Sequence, residues 1–219
     1  SLELGGKNAT LIMEDADLEE AIPGAARAAF ANQGQVCLCG SRILIHHARY
    51  ERFLEGFLAE VGRLRVGDPL HPETTFGSLV SHAHRDKVEA CVQTAKQEGG
   101  QVLTGGHPLD LPPPLDQGAF YAPTVIAGLS PSSQTATEEI FGPVVTLHPF
   151  DSVEEAVAIA NQVPYGLSAS IWTRDVRRAH QVADALEVGM VWVNCWLKRD
   201  LRTPFGGVKH SGVGREGGA

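Results

Sequence analysis

Short apolar runs of strand length alternate with amphipathic helical stretches along most of this chain, and that alternation leaves few folds open. Ala9 to Met13 and Ser41 to His46 read as buried strands. Asp17 is placed to cap a helix running towards Ala31, with Pro23 predicting a kink or a late start inside it. Tyr50 to Leu64 sets Phe53, Leu54, Phe57, Leu58 and Val61 on one helical face. A helix over Ala83 to Glu98 stops at Gly99-Gly100, and the short strand Gln101 to Thr104 follows. Gly105 to Gly118 reads as a surface loop, then strands near Tyr121 to Ile126 and Val144 to Pro149. Helix Val153 to Gln162, strand Leu167 to Thr173, helix Val176 to Leu186 and strand Met190 to Asn194 complete the pattern. Beyond Leu201 the chain is Gly-rich without periodicity. Strands joined by crossover-length helices predict an α/β fold: an open, mostly parallel twisted sheet with helices on both faces.

Composition narrows the function classes. With 219 residues, 43% hydrophobic and 20% charged, the chain can build one substantial core or two small ones. A formal net charge of −8 and the lack of a basic cluster argue against a nucleic-acid partner. No apolar run reaches the roughly 18 to 20 residues of a membrane span, so no membrane partner is expected. Ser1 to Leu4 carries no secretory signature, which predicts a cytoplasmic location. The four cysteines are 37, 39, 91 and 195; the Cys37-x-Cys39 pair has no second pair at zinc spacing, so no metal site is expected. Reduced thiols follow, each either core filler or chemistry.

Four constellations can carry chemistry. In Leu2-Glu3-Leu4-Gly5-Gly6-Lys7-Asn8, a carboxylate at the end of an apolar strand would be partly desolvated, which raises its pKa and suits a general base; an exposed Glu before a Gly-Gly turn is the bland alternative. In Phe30 to Arg42, a helix ends in Asn-Gln-Gly and a turn presents Cys37, whose thiolate the neighbouring amides could stabilise. The same amides could hold an oxyanion, while Cys39, Cys91 and Cys195 read as buried hydrophobes. In Glu138-Glu139-Ile140-Phe141-Gly142-Pro143, an acid and an aromatic two apart point the same way if the backbone is extended. They could hold a ribose diol and shield a flat ring, or merely open a strand. In Asn194 to Gly207, Lys198, Arg199 and Arg202 could receive a substrate carboxylate or simply face water.

Taken together and in this order, the four segments resemble the aldehyde dehydrogenase superfamily from Ser1 to about Gly218. Its glutamate signature is similar to LELGGK at Leu2 to Lys7, and its cysteine signature to FANQGQVCLCGSR at Phe30 to Arg42. EEIFGPV at Glu138 to Val144 resembles its nicotinamide-side motif, and PFGGVKHSGVGRE at Pro204 to Glu216 its late Gly-rich stretch. The resemblance implies Cys37 as nucleophile and Glu3 as the base activating the hydrolytic water. It implies Glu139 on the nicotinamide ribose, Phe141 beside the nicotinamide, and Phe205 lining the substrate funnel. The cofactor implied is NAD, with NADP also open. WLKRDLRTPFGG at Trp196 to Gly207 is similar to the group acting on 2-hydroxymuconic and 2-aminomuconic semialdehydes. That likeness implies a small-molecule substrate with a distal carboxylate, met by Arg199 first and Arg202 second.

The family mechanism implied runs through a Cys37 thiohemiacetal, hydride loss to the nicotinamide, and hydrolysis of a Cys37 thioester. A Cys–Glu thiol hydrolase that needs no nicotinamide, or a silent structural relative, are the alternatives. The resemblance also divides the chain. Residues 1–4 would end the last strand of a cofactor-binding domain otherwise absent, and 5–207 would form the catalytic domain. Residues 208–219 would be a Gly-rich segment stopping before the family's oligomerisation strand. A full-length protein would be a homo-oligomer, and this chain a fragment that binds cofactor poorly.

Overall fold

The computed structural model describes residues 1–218. Its strands are β1 (Leu2–Glu3), β2 (Ala9–Ile12), β3 (Arg42–His46), β4 (Gln101–Thr104), β5 (Thr124–Ala127), β6 (Val144–Phe150), β7 (Tyr165–Gly166), β8 (Ser168–Trp172), β9 (Met190–Val193), β10 (Val208–Lys209) and β11 (Gly212–Val213). The helices are α1 (Leu18–Phe30), α2 (Tyr50–Val61), α3 (His82–Gln97), α4 (Gln134–Thr137), α5 (Val153–Asn161) and α6 (Val176–Ala185).

Seven strands form one sheet in the order β4-β5-β6-β3-β2-β8-β9. Only the β4–β5 pair at one edge is antiparallel. Side-chain alternation sorts the strands onto two faces. Ile12, Ile43, Ile45, Val145 and Leu147 pack under α1 and α2, burying Phe53 and Phe57. Leu11, Leu44, Phe150, Ala169 and Ile171 pack under α5 and α6. Val144 and Ile126 meet Val88, Val92 and Ala95 of α3. The mostly parallel sheet with helices on both faces is therefore present. Among the described residues no helix is long and apolar enough to cross a membrane.

Helix α1 begins at Leu18 with Asp17 accepting from the Glu19 amide at 3.1 Å, so Pro23 causes no late start. The carbonyl that Pro23 leaves without its usual donor is that of Glu19, an exposed residue where water can serve it. The strand expected near Tyr121 begins at Thr124; Tyr121 itself makes only an isolated bridge to Pro108.

The Gly-rich end is more structured than its sequence predicts. β11 pairs antiparallel with β1, matching Leu2 to Val213 and Glu3 to Gly212, and β10 pairs with β7. The strand carrying Glu3 is thus held by the far end of the chain.

Candidate active site

Cys37 sits on the turn between α1 and β3 as a half-buried thiol, and that turn is set by what precedes it. Asn32, Gln33 and Gly34 adopt φ of 49°, 57° and 71°, three left-handed residues in a row that reverse the chain out of α1. Asn and Gly tolerate this region best, which accounts for Asn-Gln-Gly at that point.

Side chains from distant segments then fix the turn. The Asn8 carboxamide donates to the carbonyls of Cys37 at 2.7 Å and Cys39 at 2.9 Å, while its oxygen accepts from the Ser168 amide at 3.0 Å. The Trp196 indole donates to the Leu38 carbonyl at 2.9 Å. Arg42, 2% exposed, donates to the carbonyls of Lys7, Ile159 and Ala160 at 2.8 to 2.9 Å. Asn8 and Arg42 were not singled out by their spacing: a buried polar residue gives no periodic signal, although both fall inside the motifs that the four-segment pattern marks.

The Gly5-Gly6 segment seats Glu139 beside the Cys37 backbone. The Gly6 amide donates to Glu139 Oε1 at 2.9 Å. A Cβ on Gly5 would lie 2.3 Å from Glu139 Oε2, and one on Gly6 would lie 2.7 Å from the Cys37 carbonyl oxygen. Only hydrogens leave room for both approaches. Glu3, two residues earlier, has both carboxylate oxygens buried with no hydrogen-bond partner among the described residues.

The electrostatics differ from the expected stabilised thiolate. Burial pushes the Cys37 thiol above its ordinary value, and the nearby Glu139 and Glu3 carboxylates push it further; the local amides oppose this only in part. Burial and the two carboxylates thus disfavour the Cys37 thiolate, while the backbone around Cys37 and Leu38 favours it. Cys39, buried, is pushed up to about 12 by the same desolvation, and burial also raises half-buried Cys91.

Phe141 does not lie on extended backbone. Its φ is 58°, a conformation costing a non-glycine residue about 1 to 2 kcal/mol. The His84 ring, from α3, pairs with the Phe141 carbonyl oxygen at 2.7 Å and presents its edge to the Phe141 ring at 6.4 Å. The strain leaves a large ring 40% exposed beside Glu139. The carboxylate docked on Gly6 and this open aromatic face fit a ribose diol and a flat ring respectively.

The substrate-side residues separate. Phe205 is 7% exposed and packs with Leu38, Trp192 and Trp196, the cluster against which Cys37 also rests. Arg199 is exposed, with its guanidinium 4.3 Å from the Phe205 ring centroid. Arg202 is fully exposed and forks onto the Asp200 carboxylate, with Nε at 2.9 Å from Oδ1. The two arginines are therefore not equivalent: Arg202 is paired with Asp200, and among the described residues Arg199 has no carboxylate partner.

The aldehyde dehydrogenase family model matches residues 1–219. The chain is 50% identical to the 2-hydroxymuconic semialdehyde dehydrogenase of Pseudomonas putida, over 100% of this chain and 45% of that protein. It is 50% identical to the 2-aminomuconic semialdehyde dehydrogenase of Mus musculus, over 99% of this chain and 45% of that protein. Among solved structures it is similar to betaine aldehyde dehydrogenase from Staphylococcus aureus in complex with NAD+. That match has a TM-score of 0.96 and 38% identity, covering 99% of this chain and 43% of the other. The chain thus spans less than half the length of the relatives it matches.

Proposed function

Because the chain belongs to the aldehyde dehydrogenase family, we infer that the protein oxidises an aldehyde to a carboxylic acid with a nicotinamide cofactor, through a covalent adduct on Cys37. The observation that carries this reading is the meeting of Cys37, Glu3 and Glu139 around Gly5-Gly6. A thiol with acids in electrostatic reach and a docked carboxylate beside an open aromatic ring has the parts the reaction needs.

Cys37 Sγ adds to the aldehyde carbon after its proton passes to a nearby carboxylate. The turn's amides are the donors available to the resulting oxyanion. Glu139 and Phe141 would hold the ribose and the nicotinamide ring, and a bound nicotinamide supplies the hydride acceptor that no side chain provides. The thioester left on Cys37 is cleaved when Glu3 takes a proton from water; the hydroxide attacks the acyl carbon and the Cys37 thiolate leaves. The Glu3 oxygens, buried with no hydrogen-bond partner among the described residues, leave their acceptor capacity for that water.

The relatives' names, together with Arg199 lying over Phe205 with no carboxylate partner among the described residues, support a semialdehyde that carries a carboxylate as substrate. Arg199 is assigned that carboxylate in preference to Arg202, whose guanidinium Asp200 occupies. The test is formation of reduced nicotinamide on adding a carboxylated semialdehyde and NAD+. Turnover that needs both the cofactor and Cys37 is expected. Aldehyde-independent ester hydrolysis surviving without NAD+, with no cofactor reduction, would mark a thiol hydrolase instead.

A further inference from the structure

Phe141 is the one exposed aromatic residue among the described residues, and it stands on left-handed backbone at a φ of 58°. An open apolar ring and a strained non-glycine backbone are each unfavourable, so surrounding contacts must hold the pair in place. Those contacts come from α3. The Phe141 carbonyl oxygen can only accept, so the His84 nitrogen 2.7 Å from it carries the proton, as Nε2–H. The same imidazole meets the Phe141 ring edge-on, with centroids 6.4 Å apart. His84 is itself anchored, since its amide donates to the Ser81 hydroxyl at 3.2 Å in the first turn of α3. One turn on, Val88 closes on the next residue, where a Cβ on Gly142 would lie 2.6 Å from Val88 Cγ2. From another side comes Gly34, in the turn that leads to Cys37. A Cβ there would lie 2.1 Å from the Gly142 carbonyl oxygen. Val88 and Gly34 fix where the segment lies, and the hydrogen bond from His84 fixes which way the peptide after Phe141 faces.

We propose that His84 is a positioning residue for the nicotinamide cofactor: it latches Phe141 in its left-handed conformation and so keeps the ring turned outward beside Glu139. The inference rests on Phe141 packing near the nicotinamide. Without the Nε2–H donor the main polar contact offsetting the strain is gone. The backbone then falls back to the negative φ that an L residue prefers, and the ring leaves its outward place. His84 thus acts on the cofactor through Phe141 and not by a contact of its own. That separates it both from a cofactor ligand and from a residue that merely supports the fold.

Two readouts test this, the first without cofactor. Chymotrypsin cuts after aromatic residues, and cleavage of a folded chain follows how often the segment opens. His84→Ala should speed cleavage between Phe141 and Gly142 by about three- to tenfold, read by mass spectrometry of the products. His84→Gln places an amide N–H where Nε2 stood and should stay within about twofold of the unaltered protein. No faster cleavage in His84→Ala overturns the proposal. If His84→Ala is cut throughout the chain, His84→Phe decides. It fills the same space without a donor and should open that bond alone; failure to open it overturns the proposal. In the holoenzyme, His84→Ala should raise KM for NAD+ about three- to tenfold and leave KM for the aldehyde within about twofold. In a Phe141→Ala background the same substitution should change KM for NAD+ by less than about twofold. An equal rise in both backgrounds means that His84 acts without Phe141 and overturns the proposal. A KM for NAD+ that responds to Phe141→Ala but not to His84→Ala overturns the proposal alone. One that responds to neither removes Phe141 from the cofactor site, and the proposal falls with that reading.

Discussion

Around Cys37 the backbone is gripped from far along the chain, by Asn8 on two carbonyls and Trp196 on a third, with Arg42 buried beneath. From Lys198 to Thr203 every residue is exposed, and the main polar contact of the segment is Arg202 with its near neighbour Asp200. Arg199 reaches back over Phe205 to the cluster on which Cys37 rests, so the proposed function draws on both regions. The difference teaches where each part of the work is done. Bond-making by the proposed nucleophile needs a thiol held within a fraction of an ångström, and Cys37 sits on such buried, cross-linked backbone. Substrate choice can be carried by an exposed loop whose side chains change without disturbing that frame.

The comparison can be broken most directly at Cys37. Cys37→Ser should lower aldehyde oxidation by on the order of 10³-fold or more while leaving the melting temperature unchanged, measured by initial rates and calorimetry. In the unaltered protein, Cys37 alkylation should keep rising through the alkaline range, since burial and two carboxylates hold the thiol above its ordinary value. A plateau near neutrality in an alkylation profile would contradict that electrostatic account.

Asn8→Ala tests whether the grip matters. It strips two carbonyls and the Ser168 amide of their partner, and should cost about 2 to 4 kcal/mol in a denaturant titration together with much of the Cys37 reactivity. The loop side should behave otherwise. Arg199→Ala should raise KM for a carboxylated semialdehyde by about ten- to hundredfold, with little change for a neutral aldehyde. Equal effects on the two substrates would remove Arg199 from the carboxylate site. Arg202→Ala sharpens the contrast: KM within about threefold of the unaltered protein and no measurable loss of stability, because an exposed pair contributes little.

The legible parts of the molecule were those written in periodicity. Apolar runs located β2, β3, β6 and β8, and the four-residue spacing of Phe53, Phe57 and Val61 located α2, because burial against a sheet enforces both patterns. The pairing of β11 with β1 was not legible. Strands of two residues have no period, and their partners lie at opposite ends of the chain. Phe141 escaped for a related reason, since nothing in Glu-Ile-Phe-Gly announces a left-handed aromatic. Glu3, Cys37 and Glu139 stood out by residue type and neighbours, but that one glycine pair seats Glu139 beside the Cys37 turn only emerges in three dimensions. Asn8 and Lys7, polar and buried, carried no signal beyond sitting in the same motif.

The covalent step on Cys37 is the most direct point of test. Glu3→Gln should block hydrolysis while leaving thiol addition and oxidation possible, so a carboxylated semialdehyde and NAD+ should load the enzyme with an acyl group. Acid quenching, digestion and mass spectrometry would locate it. An acyl mass on the Cys37 peptide, absent without NAD+, is the result expected. An acyl group on Cys91 or Cys195, or none on any cysteine while acid is still released, would contradict the assignment of Cys37 as nucleophile and Glu3 as base.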